Sequence, residues 1–567
     1  MAASADLIAS SAWWKGLNKA MATRSPCPDV QPLVDEHLRW YPKADAALLS
    51  RAYAVAEHLH RDQKRKSGEP FIIHPLAVAT ILAEMGLDTA TLVAALLHDT
   101  VEDTPFSLAH LSAEFGVEVG IMVDGVTKVD RSMYGNAAAG ETFRKMVLAA
   151  RDDLRVLLIK LADRVHNLRT LQFQPPHKRI KIAQGTRELL IPLAERLGVY
   201  RLKRELEDLC FAYLEGDEHD RTRAKVEQVR KDCRHEFDAV RHRLRDMLVS
   251  FRVKATVETR ERHLYSVFTS GRGPGERLDA LDTVRCLVVV KGSEQNAYLA
   301  LGAVHGRWRP VPQKFRDFIA IPKYNLYRAL HTTVVTDSGR RVQIIICDSH
   351  AQQVSELGIV AEIRQVTGRD GRLTRERTTD PEWLTRLLGW QEQASAEELL
   401  RGVRTDLAET ITVLTEDGRI LTLPEGATPV DVAYTISTDT GNHFSTAIIG
   451  GRLVGPSSPV RDGDTVRIIT KDEPNPDRDW LASAKTGEAR VGITTWHRTR
   501  AREHAEQAGR RRLADLVGEV RLVDSEAIGK MVGVARRAGH ADLESLYTAI
   551  GEGSVEAEKV ASHFSTD

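Results

Sequence analysis

Leu96-Leu97-His98-Asp99-Thr100-Val101-Glu102-Asp103-Thr104 continues an apolar run that begins at Val93-Ala94-Ala95. The run predicts a buried helix ending at adjacent His98 and Asp99, with both side chains aimed inward. Glu102 and Asp103 follow one turn later and fall beside the same cavity. A second segment, Lys160-Leu161-Ala162-Asp163-Arg164-Val165-His166-Asn167-Leu168-Arg169-Thr170, sets Asp163 just after the apolar stretch Val156–Leu161. An unpaired carboxylate there is costly, and a bound metal would offset the cost. A third segment, Arg65-Lys66-Ser67-Gly68-Glu69-Pro70-Phe71-Ile72-Ile73-His74-Pro75, adds another imidazole. Imidazoles with two carboxylates suit a divalent cation with open coordination positions, which would bring the pKa of bound water towards neutrality. Blander readings exist for each part. A lone His-Asp pair is usually structural, His74 before Pro75 could be a satisfied turn histidine, and Asp163 with Arg164 could be a surface ion pair.

Around these segments the pattern is helical from about Asp45 to Tyr213, as in Leu48–Arg61 and Ala77–Glu84, with turns at Gly68-Glu69-Pro70 and Gln174-Pro175-Pro176. The piece Asp124-Gly125-Val126-Thr127-Lys128 lies between the first and second of these segments. Glu205 to Met247 is helical and densely charged, as expected of a solvated connector or a helix between domains. β-Branched runs then appear at Val284–Val290, His331–Val335 and Val342–Ile346, giving an α/β region. Residues 410–470 read as a compact module of short strands: Ile411–Leu414, Ile420–Leu423 and Val466–Ile469 with a helix near Pro429–Ile436. Asp-Gly at 417–418 and at 462–463 are hairpin signals. A helical tail from about Trp480 carries the basic stretch His497–Arg512.

The chain has 567 residues, too many for one core, and its 79 basic and 79 acidic side chains cancel. That balance argues against a globally basic nucleic-acid coat. Five scattered cysteines without CxxC spacing disfavour a zinc ribbon or a disulfide framework, so a reduced, cytoplasmic setting is expected. No apolar run reaches the roughly 20 residues of a membrane helix. The expected fold class is multidomain α+β. Its divisions are a flexible leader at 1–30, an all-α domain at 31–200, a helical connector at 201–250, an α/β domain at 251–385, a compact module of short strands at 408–472 and a helical segment at 475–567.

The text QxRKSGEPxIxHP, HDTVEDT and KLADRxHNxRT, present here almost unbroken, resembles the hydrolase half of the RelA/SpoT family of long homologues, which uses the HD phosphohydrolase fold. The resemblance implies that His74, His98, Asp99 and Asp163 bind manganese and that Glu102 and Asp103 position or activate water. It also implies that Arg65, Lys66, Asn167 and Thr170 hold the nucleotide. Guanidinium and ammonium groups suit phosphate and base edges. The implied substrate is ppGpp or pppGpp, cleaved at its 3′-pyrophosphate to GDP or GTP plus pyrophosphate.

Residues 251–365 resemble the family's synthetase domain through His305-Gly306-Arg307-Trp308, Phe315–Asn325 and Leu330–Val334. At the family's magnesium-binding Asp stands Ala280, with Asp279 and Asp282 off register. The family's strand Glu falls on Arg341, Val342 or Gln343, depending on the gap. Leu326, Arg328-Ala329 and Ser270 replace further family residues, while Arg260, His263 and Tyr327 remain, the last as a plausible stacking platform for guanine. Loss of both carboxylates predicts loss of synthesis, because such transfer needs a metal clamp and a base. Residues 411–470 resemble a TGS domain, which implies a small β-grasp module, through Leu423–Tyr434 and Asp462–Val466, with Ser437 where the family commonly has His. Its family partners are tRNA or regulatory proteins. The basic tail suits ribosomal RNA or a solvated helix face. Two other readings are a bifunctional synthetase/hydrolase and a ribosome- or tRNA-associated regulator with vestigial sites.

Overall fold

A computed structural model describes residues 29–134, 139–270, 283–320, 327–374, 410–518, 532–533, 535–536 and 540–562. Most of the leader, Ala280 with its neighbouring aspartates, Leu326 and the predicted boundaries near 385 and 408 lie outside these residues. The chain divides into two compact units, residues 1–389 and 390–567. The architecture is multidomain α+β, as expected.

The first unit begins with a helical bundle. Its centre is Arg155–Arg169, buried everywhere except at Asn167 and Arg169. Thr89–Leu97 packs nearby with an equally buried surface, and the Asp88 carboxylate caps it by accepting from Thr91 N. Gly125, on helix Val117–Tyr134, permits a close crossing, because a Cβ there would lie 2.7 Å from Val156 Cγ2. Asp124 ends in a surface ion pair with Lys128 one turn on. The 35-residue helix Gly216–Ser250, expected as a solvated connector or a helix between domains, is exposed along much of its length but not on every side. Cys233, Phe237, Val240, Leu244 and Leu248 form one apolar face, which enters the core of the following α/β region. Five buried side chains at three- to four-residue spacing outweigh a charged remainder.

That region holds a sheet in the order β1-β2-β6-β5-β3, with β4 also paired to β5. Its strands are β1 (Ala255–Glu261), β2 (Val284–Val290), β3 (Arg309–Pro310), β4 (Arg316–Asp317), β5 (Leu330–Val335) and β6 (Arg341–Asp348). β2 and β6 run parallel, and their apolar composition reflects burial at the sheet centre. The polypeptide then returns to the helical bundle. At Gly358 (φ 53°) a Cβ would lie 2.1 Å from the Leu197 carbonyl oxygen, which accepts from Ile359 N at 3.0 Å. The turn around Gly371 closes against the bundle through Thr89 N to Gly371 O and Lys43 N to Arg369 O, both 2.9 Å. The Arg364 guanidinium sits 3.9 Å from the Trp40 ring centroid.

The second unit contains β7 (Thr410–Thr415), β8 (Ile420–Pro424), β9 (Phe444–Ile449), β10 (Arg452–Val454) and β11 (Thr465–Thr470), ordered β10-β9-β11-β7-β8. Asp417-Gly418 makes the expected β7–β8 hairpin. Asp462-Gly463 does not make one: β11 pairs with β9 and β7, not with β10 before it. Asp462 instead accepts from Thr412 N, and Gly463 N donates to Thr412 O, so this turn clips the loop to β7. The expected helix Pro429–Ile436 is present, and Ser437 caps the next short helix by accepting from Thr440 N. Asp431 is fully buried: Oδ2 accepts from Thr428, while Oδ1 accepts from Lys485 N and from Thr486. It thereby ties the β-grasp module to the start of helix Gly487–Val517. On that helix Arg498, Arg500, Arg502, Arg510, Arg511 and Arg512 are exposed, and Arg512 also donates to the Ile550 carbonyl. Among the described residues no helix is long and apolar enough to cross a membrane. Cys210, Cys233, Cys286 and Cys347 are buried free thiols.

Candidate metal centre and nucleotide pocket

Three helices bring the imidazole and carboxylate groups together. His74 lies in the first turn of Ile73–Glu84, His98 caps Thr89–Leu97 with Asp99 next to it, and Asp163 projects from the middle of Arg155–Arg169. His74 Nε2 is 3.1 Å from Asp163 Oδ1 and 3.6 Å from Asp99 Oδ2; His98 Nε2 is 3.1 Å from Asp99 Oδ1. Ligand atoms of His74, His98 and Asp99 fall within 4.8 Å of one another. His74 is a buried helix residue, and Asp163 and Arg164 are buried rather than a surface pair.

The proton inventory tests whether this set fits a cation. His98 Nδ1 lies 2.8 Å from the Ala95 carbonyl oxygen, which can only accept, so the ring proton sits on Nδ1. In the neutral imidazole, His98 Nε2 then turns a lone pair towards Asp99 Oδ1, 3.1 Å away. Burial pushes His74 down to about 3, keeping it neutral as well. Acceptors facing acceptors in a buried site are stabilised by a cation among them, and two imidazoles with carboxylates match a divalent metal.

Asp163 differs from its sequence-based reading. Its carboxylate is not unpaired, because Lys160 Nζ, itself buried, donates to Oδ2 at 2.6 Å and Asn167 Nδ2 donates to Oδ1 at 2.6 Å. Burial alone would raise the Asp163 carboxyl; the Lys160 ammonium and His74 beside it hold it well below its ordinary value.

A cleft of about 440 Å³ opens onto this centre. Its lining includes His74, Asp99 and Asp163 at the base, with Glu102 and Asp103 exposed to its solvent; His98 sits behind Asp99. Gln63 Nε2 donates to the Asp103 carbonyl at 3.0 Å and so ties the Glu102–Asp103 turn to the segment bearing Arg65 and Lys66. That segment is a tight hairpin closed by a Lys64–Pro70 bridge, with Gly68 at φ 89°. Arg65 Nη2 donates to Asn167 Oδ1 at 2.9 Å, Lys66 Nζ donates to Gln174 Oε1 at 2.6 Å, and Thr170 Oγ1 bonds back to the His166 carbonyl. Arg65, Lys66, Asn167 and Thr170 thus share one cleft. The lining also includes apolar Leu171, half-exposed Phe173 and Ile182. The cleft thus combines charged groups with apolar surface that could meet a flat ring.

Sequence reasoning missed Lys160, His166 and Phe173. The first two stand three residues on either side of Asp163, on its own helix face, a spacing that could have revealed them. His74 Nδ1 and His166 Nδ1 are 2.8 Å apart, and Arg65 Nη1 is 3.4 Å from the same His166 nitrogen.

In the α/β region, β2 contains no carboxylate and β6 contains only Asp348, which caps the next helix by accepting from Ala351 N. Arg260 pairs with Glu356, and His263 Nε2 lies 2.8 Å from Glu207 Oε2. The Tyr327 ring packs beside Leu287, Val289 and Cys347, with its hydroxyl 2.6 Å from His331 Nε2.

The HD domain model matches residues 52–200, the region found in RelA / SpoT proteins matches 259–368, and the TGS domain model matches 411–470. An HD-type hydrolase domain implies dependence on a divalent metal. The chain is 42% identical over 548 residues to a probable GTP pyrophosphokinase of Mycobacterium leprae, covering 94% of this chain and 69% of that protein. It is equally identical over the same length to the bifunctional (p)ppGpp synthase/hydrolase RelA of Mycobacterium tuberculosis, covering 74% of it. It is 36% identical over 527 residues to a guanosine-3′,5′-bis(diphosphate) 3′-pyrophosphohydrolase of Aquifex aeolicus, covering 92% and 74% of the two chains. Three modules in this order, and relatives matched along most of the sequence, make the chain a member of the RelA/SpoT family, of its long type.

Proposed function

We propose that the protein hydrolyses the 3′-pyrophosphate of (p)ppGpp in the cytoplasm with manganese as its metal, and that it has lost the synthetic reaction. The observation that carries the hydrolase reading is the convergence of His74, His98, Asp99 and Asp163 at the base of a cleft rimmed by Arg65 and Lys66. These four would hold the ion, which when bound lowers the pKa of coordinated water and polarises the phosphate. Arg65, Lys66, Asn167 and Thr170 grip the nucleotide, with the base against Phe173 and Ile182. Glu102 or Asp103 takes a proton from the attacking water, whose oxygen bonds to the phosphorus on the 3′-oxygen. That P–O bond breaks, the 3′-oxygen gains a proton, and pyrophosphate departs from GDP or GTP.

The loss of synthesis is supported by Ala280 in the sequence and by the helix-capping duty of Asp348. It is also supported by Arg260 and His263, already committed to Glu356 and Glu207. The TGS module and basic helix then serve contacts with tRNA, the ribosome or a regulatory protein. Purified full-length chain should degrade ppGpp with manganese, stop on chelation, and form none from ATP and GDP. Metal-independent breakdown would refute the first claim, and robust synthesis the second.

A further inference from the structure

We infer that His166 is a positioning residue: by accepting a hydrogen bond at Nδ1 from His74 Nδ1–H, it holds His74 in the tautomer whose Nε2 lone pair faces the metal seat, and Arg65 fixes His166 in that accepting role. The inference rests on the metal assignment above and extends it to His166, which is not placed against metal or substrate.

Two imidazole nitrogens 2.8 Å apart need one proton between them, so one Nδ1 donates and the other accepts. A histidine that ligates through Nε2 carries its proton on Nδ1, and an imidazole that accepts at Nδ1 carries its own on Nε2. With one N–H on each ring, two arrangements are available. In one, His166 donates and His74 Nδ1 accepts. His74 then carries its proton on Nε2, pointing at Asp163 Oδ1 3.1 Å away, and cannot ligate. In the other, His74 donates from Nδ1 and its Nε2 is free for a metal.

Asp163 favours the first arrangement, because it offers an acceptor for Nε2–H. Arg65 opposes it. A guanidinium has only donors, and its Nη1 lies 3.4 Å from His166 Nδ1, where a proton on that nitrogen would face it. Lys160 and Asn167 oppose it too, since both already donate to Asp163. The result is a chain of three groups, Arg65 to His166 to His74, that connects the cleft's rim to its base. Outer partners that orient a ligating histidine in this way typically change metal affinity by about 10–100-fold.

The test titrates the full chain with manganese alone by calorimetry, without substrate, for wild type, His166→Leu, His166→Gln and His98→Ala. A Gln side-chain oxygen can accept from His74 and Arg65; Leu fills space without accepting. The expected result is affinity about 10–100-fold weaker in His166→Leu and within a few-fold of wild type in His166→Gln. Equal affinity in wild type and His166→Leu would overturn the inference, as would equal losses in both variants, which would indicate packing instead. Should His166→Leu fail to fold, as read by circular dichroism, His166→Gln decides alone: near-normal affinity supports the role and a large loss refutes it. If wild type binds no manganese, or His98→Ala binds it unchanged, the metal assignment itself has failed, an outcome distinct from the others and also fatal to this role.

Discussion

Lys160 Nζ donates to Asp163 Oδ2 at 2.6 Å, with both side chains buried on one helix of the bundle. Removing one member of such a pair leaves the other charge buried without compensation. Lys160→Met is expected to destabilise the metal-free protein by about 3–5 kcal/mol. Manganese should restore part of that loss by giving Asp163 a cation. Denaturant melts with and without the ion measure both effects; unchanged stability without metal would show that the pair contributes nothing net.

Glu102 and Asp103 face the cleft's solvent, and their carboxylates are not among the closely grouped ligand atoms. Glu102→Gln combined with Asp103→Asn should therefore lower kcat for ppGpp hydrolysis by roughly 10²–10⁴-fold, the usual range for losing a general base. Manganese affinity should stay near the wild-type value. A comparable loss of metal binding would move these residues from water activation to ion binding.

His37 is fully buried, with Nε2 2.9 Å from Thr89 Oγ1, and burial lowers it to about 4 against an opposing pull from Asp88. The unfolded chain takes up this proton near pH 6.5, whereas the folded chain resists until about pH 4. Stability is thus complete above pH 6.5 and falls as pH drops towards 4, by at most about 1.4 kcal/mol per unit from this group. The His37→Gln variant should lose less stability than wild type between pH 7 and pH 5. Parallel pH curves for the two proteins would rule out this contribution.

Gly358 combines φ 53° with a backbone oxygen where a Cβ would stand. Gly358→Ala is expected to cost at least about 1–3 kcal/mol from the backbone conformation alone. It should also break the Ile359 N to Leu197 O bond. Thermal melts of the full chain would show the loss, and a variant that melts with wild type would mean the seam can shift at little cost.

The sequence made the proposed metal ligands legible because each sits at a helix end or behind an apolar run, where a polar side chain signals purpose. Helix limits at Pro429–Ile436 and the strand Val284–Val290 emerged for the same reason: local pattern and tertiary burial agree there. Other features depended on partners far along the chain. Nothing local distinguishes Asp462-Gly463, which binds Thr412, from the true hairpin at Asp417-Gly418. β1 (Ala255–Glu261) is half charged and becomes a strand only by pairing with β2. Charge density likewise concealed the apolar face of Gly216–Ser250. At the site, Lys160 and His166 were visible as letters, but their roles required the 2.6 Å and 2.8 Å contacts.

The return of the chain to the helical bundle at Gly358, Arg364 and Gly371 bears on how such a protein can be pared down. The bundle's outer wall near Trp40, Thr89 and Leu197 is completed by residues that come after the sheet in sequence. Cutting the gene after the bundle would leave backbone groups at Lys43, Thr89 and Leu197 without their mates and strip the cover from Trp40. If the sheet domain's own chemistry has lapsed, as proposed above, it would still be retained by selection, because its neighbour is finished only in its presence.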